Sequence, residues 1–263
     1  MCGCLLMKKL LLLLLFPCGT CLAQSPFDGS WSIQSDSAEL TQKPTEYVLA
    51  NESFSCSGCI ADVRIKADGQ DQKIEATGYW DTASVKIVDV HTVEITMKKS
   101  GRTMFTETDT VSPDGGTLTQ ILKDDTEAQT VTIETVYRRV EQGSASGHAL
   151  SGSWAVIKIN RSKNGRTVRY KCTADEFSAE TPLGERFTAK FDGEDYPVID
   201  DPGHSMVSVR RMGPTEVEVT TRRNGKVAGI LHLTAEGDGE TLRASFENKE
   251  TGATATYQMQ RVH

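Results

Sequence analysis

The chain has 263 residues, with 36 acidic and 29 basic side chains and a net charge of −7 at neutral pH. An acidic surface with no basic stripe interleaved with aromatics repels phosphate backbones, so nucleic acid is excluded as the expected partner. The length suits two domains, each large enough to bury a core without disulfide staples.

Taken from the N-terminus, basic Lys8-Lys9 precede an apolar run from Leu10 to Phe16, followed by Pro17 and the small-residue stretch Cys18 to Ala23. That order is the order of a secretory signal, expected to span residues 1–23. The run is well short of the ~20 residues a membrane-crossing helix needs, and no later stretch approaches that length. The mature chain is therefore expected to be exported, periplasmic or secreted, with no transmembrane segment. Bulky Phe16 and stiff Pro17 argue against a lipid anchor on Cys18. Loss of Lys8 and Lys9 with the leader leaves 27 basic against 36 acidic groups, or −9. Four of the seven cysteines lie in the leader; Cys56, Cys59 and Cys172 remain.

Beyond the leader the chain repeats itself. Gly29-Ser30-Trp31 returns as Gly152-Ser153-Trp154, Val93-Glu94-Ile95-Thr96 as Val217-Glu218-Val219-Thr220, and Asp114-Gly115 as Asp238-Gly239. The copies also end alike, in Arg139-Val140 and Arg261-Val262. A repeat of this length reads as a duplicated domain, since solenoid units run about 20–50 residues. The polar, aperiodic stretch 142–148 reads as a linker between copies at 24–141 and 149–263. Each copy is then expected to fold by itself.

Within each copy the apolar period is two. Val93, Ile95 and Met97 alternate with Thr92, Glu94, Thr96 and Lys98, as do Val217 and Val219 with their polar neighbours, which is the pattern of half-buried strands. Thr103 to Val111 and Thr130 to Val140 add β-favouring residues. Asp68-Gly69, Asn224-Gly225 and Asp238-Gly239 supply the positive φ of tight hairpins. The expected fold is all-β, with about eight strands per copy and no helical stripe.

Each copy thus opens on Gly-x-Trp, runs through an antiparallel meander and closes on an Arg. That arrangement resembles the lipocalin and fatty-acid-binding-protein superfamily, the calycins, and the segments Ile65 to Gln72 and Phe191 to Val198 resemble those of uncharacterised exported bacterial proteins of lipocalin-like type. The resemblance implies two tandem up-and-down β-barrels, in which the Trp sits at the closed end with the late Arg across its indole. It implies the pairs Trp31 with Arg139 and Trp154 with Arg261.

Among smaller constellations, Cys56-Ser57-Gly58-Cys59 has redox-motif spacing but lies between strands, with no helix N-terminus to activate a thiol. It is read as a candidate disulfide; Glu180 and Leu183 stand there in the second copy. Cys172 alternates with Val168 and Tyr170, as a buried cysteine would. The five histidines are scattered, Asp124-Asp125 and Asp200-Asp201 read as solvated turn carboxylates, and no nucleophile elbow or phosphate loop occurs. No catalytic residue, metal or cofactor is expected. Tyr79-Trp80, replaced by Gly203-His204 in the second copy, is either a core contact or the aromatic wall of a pocket and is the candidate ligand site. The expected function is non-enzymatic uptake of a small apolar or amphipathic ligand; the alternative is a structural or interaction protein of the cell envelope with side-chain-filled barrels.

Overall fold

The computed structural model describes residues 25–59, 63–75, 79–124, 130–144 and 147–263. The leader, and with it the cleavage site, lies outside the described residues. Strands account for nearly all regular structure. They are β1 (Gly29–Thr41), β2 (Thr45–Ala50), β3 (Ser53–Ser57), β4 (Val63–Lys66), β5 (Gln72–Lys73), β6 (Thr82–Ile87), β7 (Thr92–Lys99), β8 (Arg102–Val111), β9 (Thr117–Asp124) and β10 (Val131–Gln142). The second half supplies β11 (Gly152–Arg161), β12 (Thr167–Cys172), β13 (Glu176–Glu180), β14 (Arg186–Lys190), β15 (Tyr196–Pro197), β16 (Met206–Gly213), β17 (Glu216–Arg223), β18 (Lys226–Ala235), β19 (Thr241–Asn248) and β20 (Thr254–Val262). One 3-10 turn, Lys163–Gly165, is the sole helical element among the described residues.

These strands form two antiparallel sheets of ten, where the sequence suggests about eight each. The excess includes β5 and β15, two-residue pairings too short to show any alternation. Each sheet curls into a nearly closed barrel. The bridge Asp68↔Lys86 ties the two ends of one, and Arg186↔Ile199 those of the other. Inward residues of each barrel make a separate core, with Val85, Val93 and Leu118 in one and Val209, Leu233 and Leu242 in the other. Asn224 and Gly225 both take positive φ at the β17–β18 turn, as a tight hairpin requires.

The barrels do not follow the repeat. The first runs β4-β3-β2-β11-β10-β9-β8-β7-β6-β5, and the second β14-β13-β12-β1-β20-β19-β18-β17-β16-β15. Each copy therefore gives its opening strand to the other copy's barrel. β1 lies between β12 and β20, with Trp31 opposite Arg261, and β11 lies between β10 and β2, with Trp154 opposite Arg139.

The stretch expected to be a spacer is the loop of the β10–β11 hairpin, which pairs Gln142 with Gly152. It is held down on β2, where His148 N–H donates to Leu49 O (2.8 Å) and Ser151 Oγ bonds both Leu49 N (2.9 Å) and Leu49 O (3.1 Å). The tight return lays β11, the opening strand of the second copy, onto β10 and β2 of the first, and the chain then crosses to the second barrel between β11 and β12.

Candidate functional site

Gly-x-Trp and the late Arg meet in each barrel, but with the partners exchanged. The Arg139 guanidinium lies 3.9 Å from the Trp154 ring centre and that of Arg261 lies 4.2 Å from Trp31. The expected pairs, Trp31 with Arg139 and Trp154 with Arg261, are corrected by the strand exchange, which seats each indole in the other copy's barrel. Both indoles are fully buried, and their Nε1–H groups donate to Phe27 O (2.8 Å) and Leu150 O (2.9 Å).

Each Arg satisfies three carbonyls. Arg139 donates to Gly115 O (2.5 Å), Ser151 O (2.7 Å) and Ala149 O (2.7 Å). Arg261 donates to the equivalent Gly239 O, Asp28 O and Pro26 O. The signature glycine makes room for this fork. Gly152 has φ +133°, and a Cβ there would stand 2.6 Å from Arg139 Nη1.

The first barrel also holds a cavity of about 290 Å³. Its wall is mainly apolar: Phe54 and Ile65 on β3 and β4, Ile95 and Met97 on β7, and Trp80, which stacks edge-on to Phe105 at 5.6 Å. Cys56 and Cys59, joined by a disulfide with Cα atoms 5.9 Å apart, form another stretch of wall. Trp80 is 6% exposed and so is both core and cavity wall.

Five polar side chains meet on the inward side of this barrel. Gln120 on β9 is the hub: its Nε2 donates to Asp109 Oδ1 (3.2 Å) and Tyr47 OH (3.2 Å), and its Oε1 accepts from Tyr137 OH (3.0 Å). Glu107 lines the cavity two residues from Asp109 on the same face of β8. Asp109 is fully buried, and its Oδ2 has no hydrogen-bond partner. Burial, with the adjacent acid second, raises Glu107 well above the usual carboxylate range, and burial lifts Asp109 to about 7. Tyr47 and Tyr137 are pushed up by burial and by these acids, so both hydroxyls stay protonated.

Sequence reasoning missed this cluster because Thr106, Thr108 and Thr110 make both faces of β8 polar. The repeat held the signal. At the same positions the second copy has Leu231, Leu233, Ala244 and Met259 for Glu107, Asp109, Gln120 and Tyr137, with matching register.

The second barrel has its own cavity, about 280 Å³, and Tyr79 reaches across into it. Arg223 Nη2 donates to Tyr79 OH (2.7 Å), with its guanidinium 4.9 Å from the ring. Tyr79 lies against Gly203, its own counterpart in the repeat, where a Cβ would come within 2.9 Å of Tyr79 Cζ. Equivalent positions thus meet between the barrels, and a Tyr at one needs a Gly at the other. The adjacent residues Tyr79 and Trp80 therefore serve different cavities. Asp201, read as solvated, is 6% exposed and accepts from Gly203 N (2.8 Å) and Ser205 N (2.7 Å); Asp124 is also buried. Burial and then Asp201 raise the nearby Glu185 to about 7.

Cys172 is a free, buried cysteine of the second core. No three His, Cys, Asp or Glu side chains gather as a metal site among the described residues, and no described helix is long and apolar enough to cross a membrane.

No protein-family model matches the chain, and no curated protein does. Among solved structures it is similar to a double mutant of the vaccine antigen transferrin binding protein B from Haemophilus parasuis Hp5, at 8% identity and a TM-score of 0.21. That match covers 85% of this chain and 44% of the other, so the chain spans less than half the length of the protein it matches.

Proposed function

We propose that this chain is an exported binding protein that takes up a small apolar or amphipathic molecule in its first barrel. The observation that carries the reading is the cavity of about 290 Å³, apolar over most of its wall with a few convergent polar groups at one side. That is the composition of small-molecule sites, although the volume is at the small end of their usual range of roughly 300–1,000 Å³. The calycin likeness of the Gly-x-Trp and Arg seat supports it at the level of the fold. Trp80 is assigned to the wall that contacts ligand, and Tyr79 to the junction with the second barrel.

The test is a titration of the chain lacking residues 1–24, followed by Trp fluorescence, with fatty acids, isoprenoids, tetrapyrroles and arylalkyl amines. Saturable binding that falls at least tenfold in Trp80→Ala, with the far-ultraviolet circular dichroism of the folded chain kept at the temperature of the titration, supports the reading. No saturable binding across the panel overturns it.

A further inference from the structure

The polar cluster of the first barrel narrows the ligand class. Two carboxyl side chains, Glu107 and Asp109, sit on the inward face of one strand, and the amide of Gln120 and the hydroxyls of Tyr47 and Tyr137 complete their surroundings. Among the described residues lining the cavity there is no Lys, Arg or His. A carboxylate buried without a cation is costly. The fold does not require it, because the second barrel closes around Leu231, Leu233, Ala244 and Met259 at the same four positions, with Leu233, Ala244 and Met259 fully buried. The first barrel therefore keeps an acidic site, with an unpartnered oxygen on fully buried Asp109, where an apolar core is demonstrably available.

We propose that the first barrel binds a small organic cation, a free primary amine carrying an apolar or aromatic body, with its ammonium on Glu107, which lines the cavity in front of fully buried Asp109, and its body against Phe54, Trp80 and Phe105. This deepens the binding reading above and rests on it. The ammonium brings the charge the barrel lacks and three donors for the carboxylate oxygens, while Gln120 and the two tyrosines hold the acids in place. A body between aromatic walls adds contact area at small entropy cost.

Proton balance follows from the same geometry. At neutral pH the empty pair retains a proton, because burial raises both acids. The bound ammonium favours the doubly ionised pair, and the displaced proton passes to solvent. The other ionisable groups facing the pair are Tyr47 on β2 and Tyr137 on β10, both neutral throughout the accessible range; β7 presents apolar Val93 and Ile95, and the Cys56–Cys59 disulfide does not titrate.

The experiment uses matched probes on the chain lacking residues 1–24: 2-phenylethylamine, 2-phenylethanol and 3-phenylpropionate, and the octyl amine, alcohol and acid. Binding is read by calorimetry in two buffers of different ionisation enthalpy at pH 7. The amines are expected to bind at least tenfold more tightly than the alcohols, with net proton release and with the acids weakest. Glu107→Gln with Asp109→Asn should abolish the preference for amines and the proton release while alcohol binding persists. Glu107→Leu with Asp109→Leu, copying the second barrel, is the second variant should the amides fail to fold. Alcohols bound as tightly as amines, or acids preferred, would overturn the cation assignment alone. No binding by any probe would overturn it together with the binding reading.

Discussion

The exchange of opening strands makes a quantitative prediction about which Trp senses which Arg. Replacing Arg139 by Met keeps the apolar stem but removes the guanidinium over Trp154 and three bonds to Gly115 O, Ala149 O and Ser151 O. At roughly 1 kcal/mol per bond the loss is about 3 kcal/mol, to which the cation–π contact adds about 1 kcal/mol. Trp154→Leu removes much of a fully buried indole, at a cost of about 2–4 kcal/mol. The double variant should be less destabilised than the sum, by a coupling of about 1 kcal/mol, because the cation–π contact is lost only once. The same should hold for Arg261 with Trp31, 4.2 Å apart. Arg139 with Trp31, in separate barrels, should couple by less than about 0.5 kcal/mol. Urea unfolding of the chain lacking residues 1–24, followed by far-ultraviolet circular dichroism, measures all three cycles. Coupling of Arg139 to Trp31 and none to Trp154 would show that each copy keeps its own first strand, and the topology described above would fall.

Cutting the chain should not separate the copies. With a protease site in place of Ala145-Ser146, the nicked protein is expected to elute as one particle in native size-exclusion chromatography, since β1 is held by β12 and β20 and β11 by β10 and β2; two folded halves that part on nicking would contradict this. Stability should also fall as pH rises. Asp109, raised from 3.8 to about 7, binds more protons folded than unfolded between those values, so the folded state loses stability across pH 4 to 7 and the deficit is complete above 7. Its size is on the order of 4 kcal/mol at most, and Glu185, also raised to about 7, adds a slope of the same sign. Melting temperatures from pH 5 to 8 should drop less steeply in the Glu107→Gln, Asp109→Asn variant than in the parent; equal slopes would mean the acids are ionised at ordinary values.

Strands with one wet face were legible in the sequence. Val93 and Ile95 alternate with polar neighbours and are 0% and 8% exposed, and the Asn-Gly turn sits where positive φ is needed. The two Trp and two Arg residues of these seats were legible as types but not as pairs. Duplication is the reason: β1 and β11 have equivalent patterns, so either fits either barrel, and local pattern does not say which copy closes which. The anchoring of His148 and Ser151 on Leu49 favours the arrangement seen, through contacts between residues about a hundred positions apart. The acid pair was hidden because its strand is polar on both faces, and became visible only against Leu231 and Leu233. Tyr79 looked like part of one site with Trp80, whereas the two rings, 6.1 Å apart between centres, line different cavities.

Strand exchange also fixes an order of events for a chain that emerges N-terminus first. The first barrel has its full set of strands once Arg161 has appeared, whereas β1, made before any of them, pairs only with β12 and with β20, which ends at Val262. At roughly 5–20 residues per second, about 5–20 s separate the two points. For most of that interval, after β12 has appeared, a 13-residue strand waits with the edge that β20 will cover unpaired, the condition under which strands recruit other chains. Its composition suits the wait: from Gln34 to Glu39 it reads Gln-Ser-Asp-Ser-Ala-Glu, charged and small, and here its register against β20 breaks, with Ser37 Oγ turned to accept Gln258 N–H at 2.9 Å. The segment that leaves the ladder irregular in the finished protein is the one that keeps the unfinished strand hydrated.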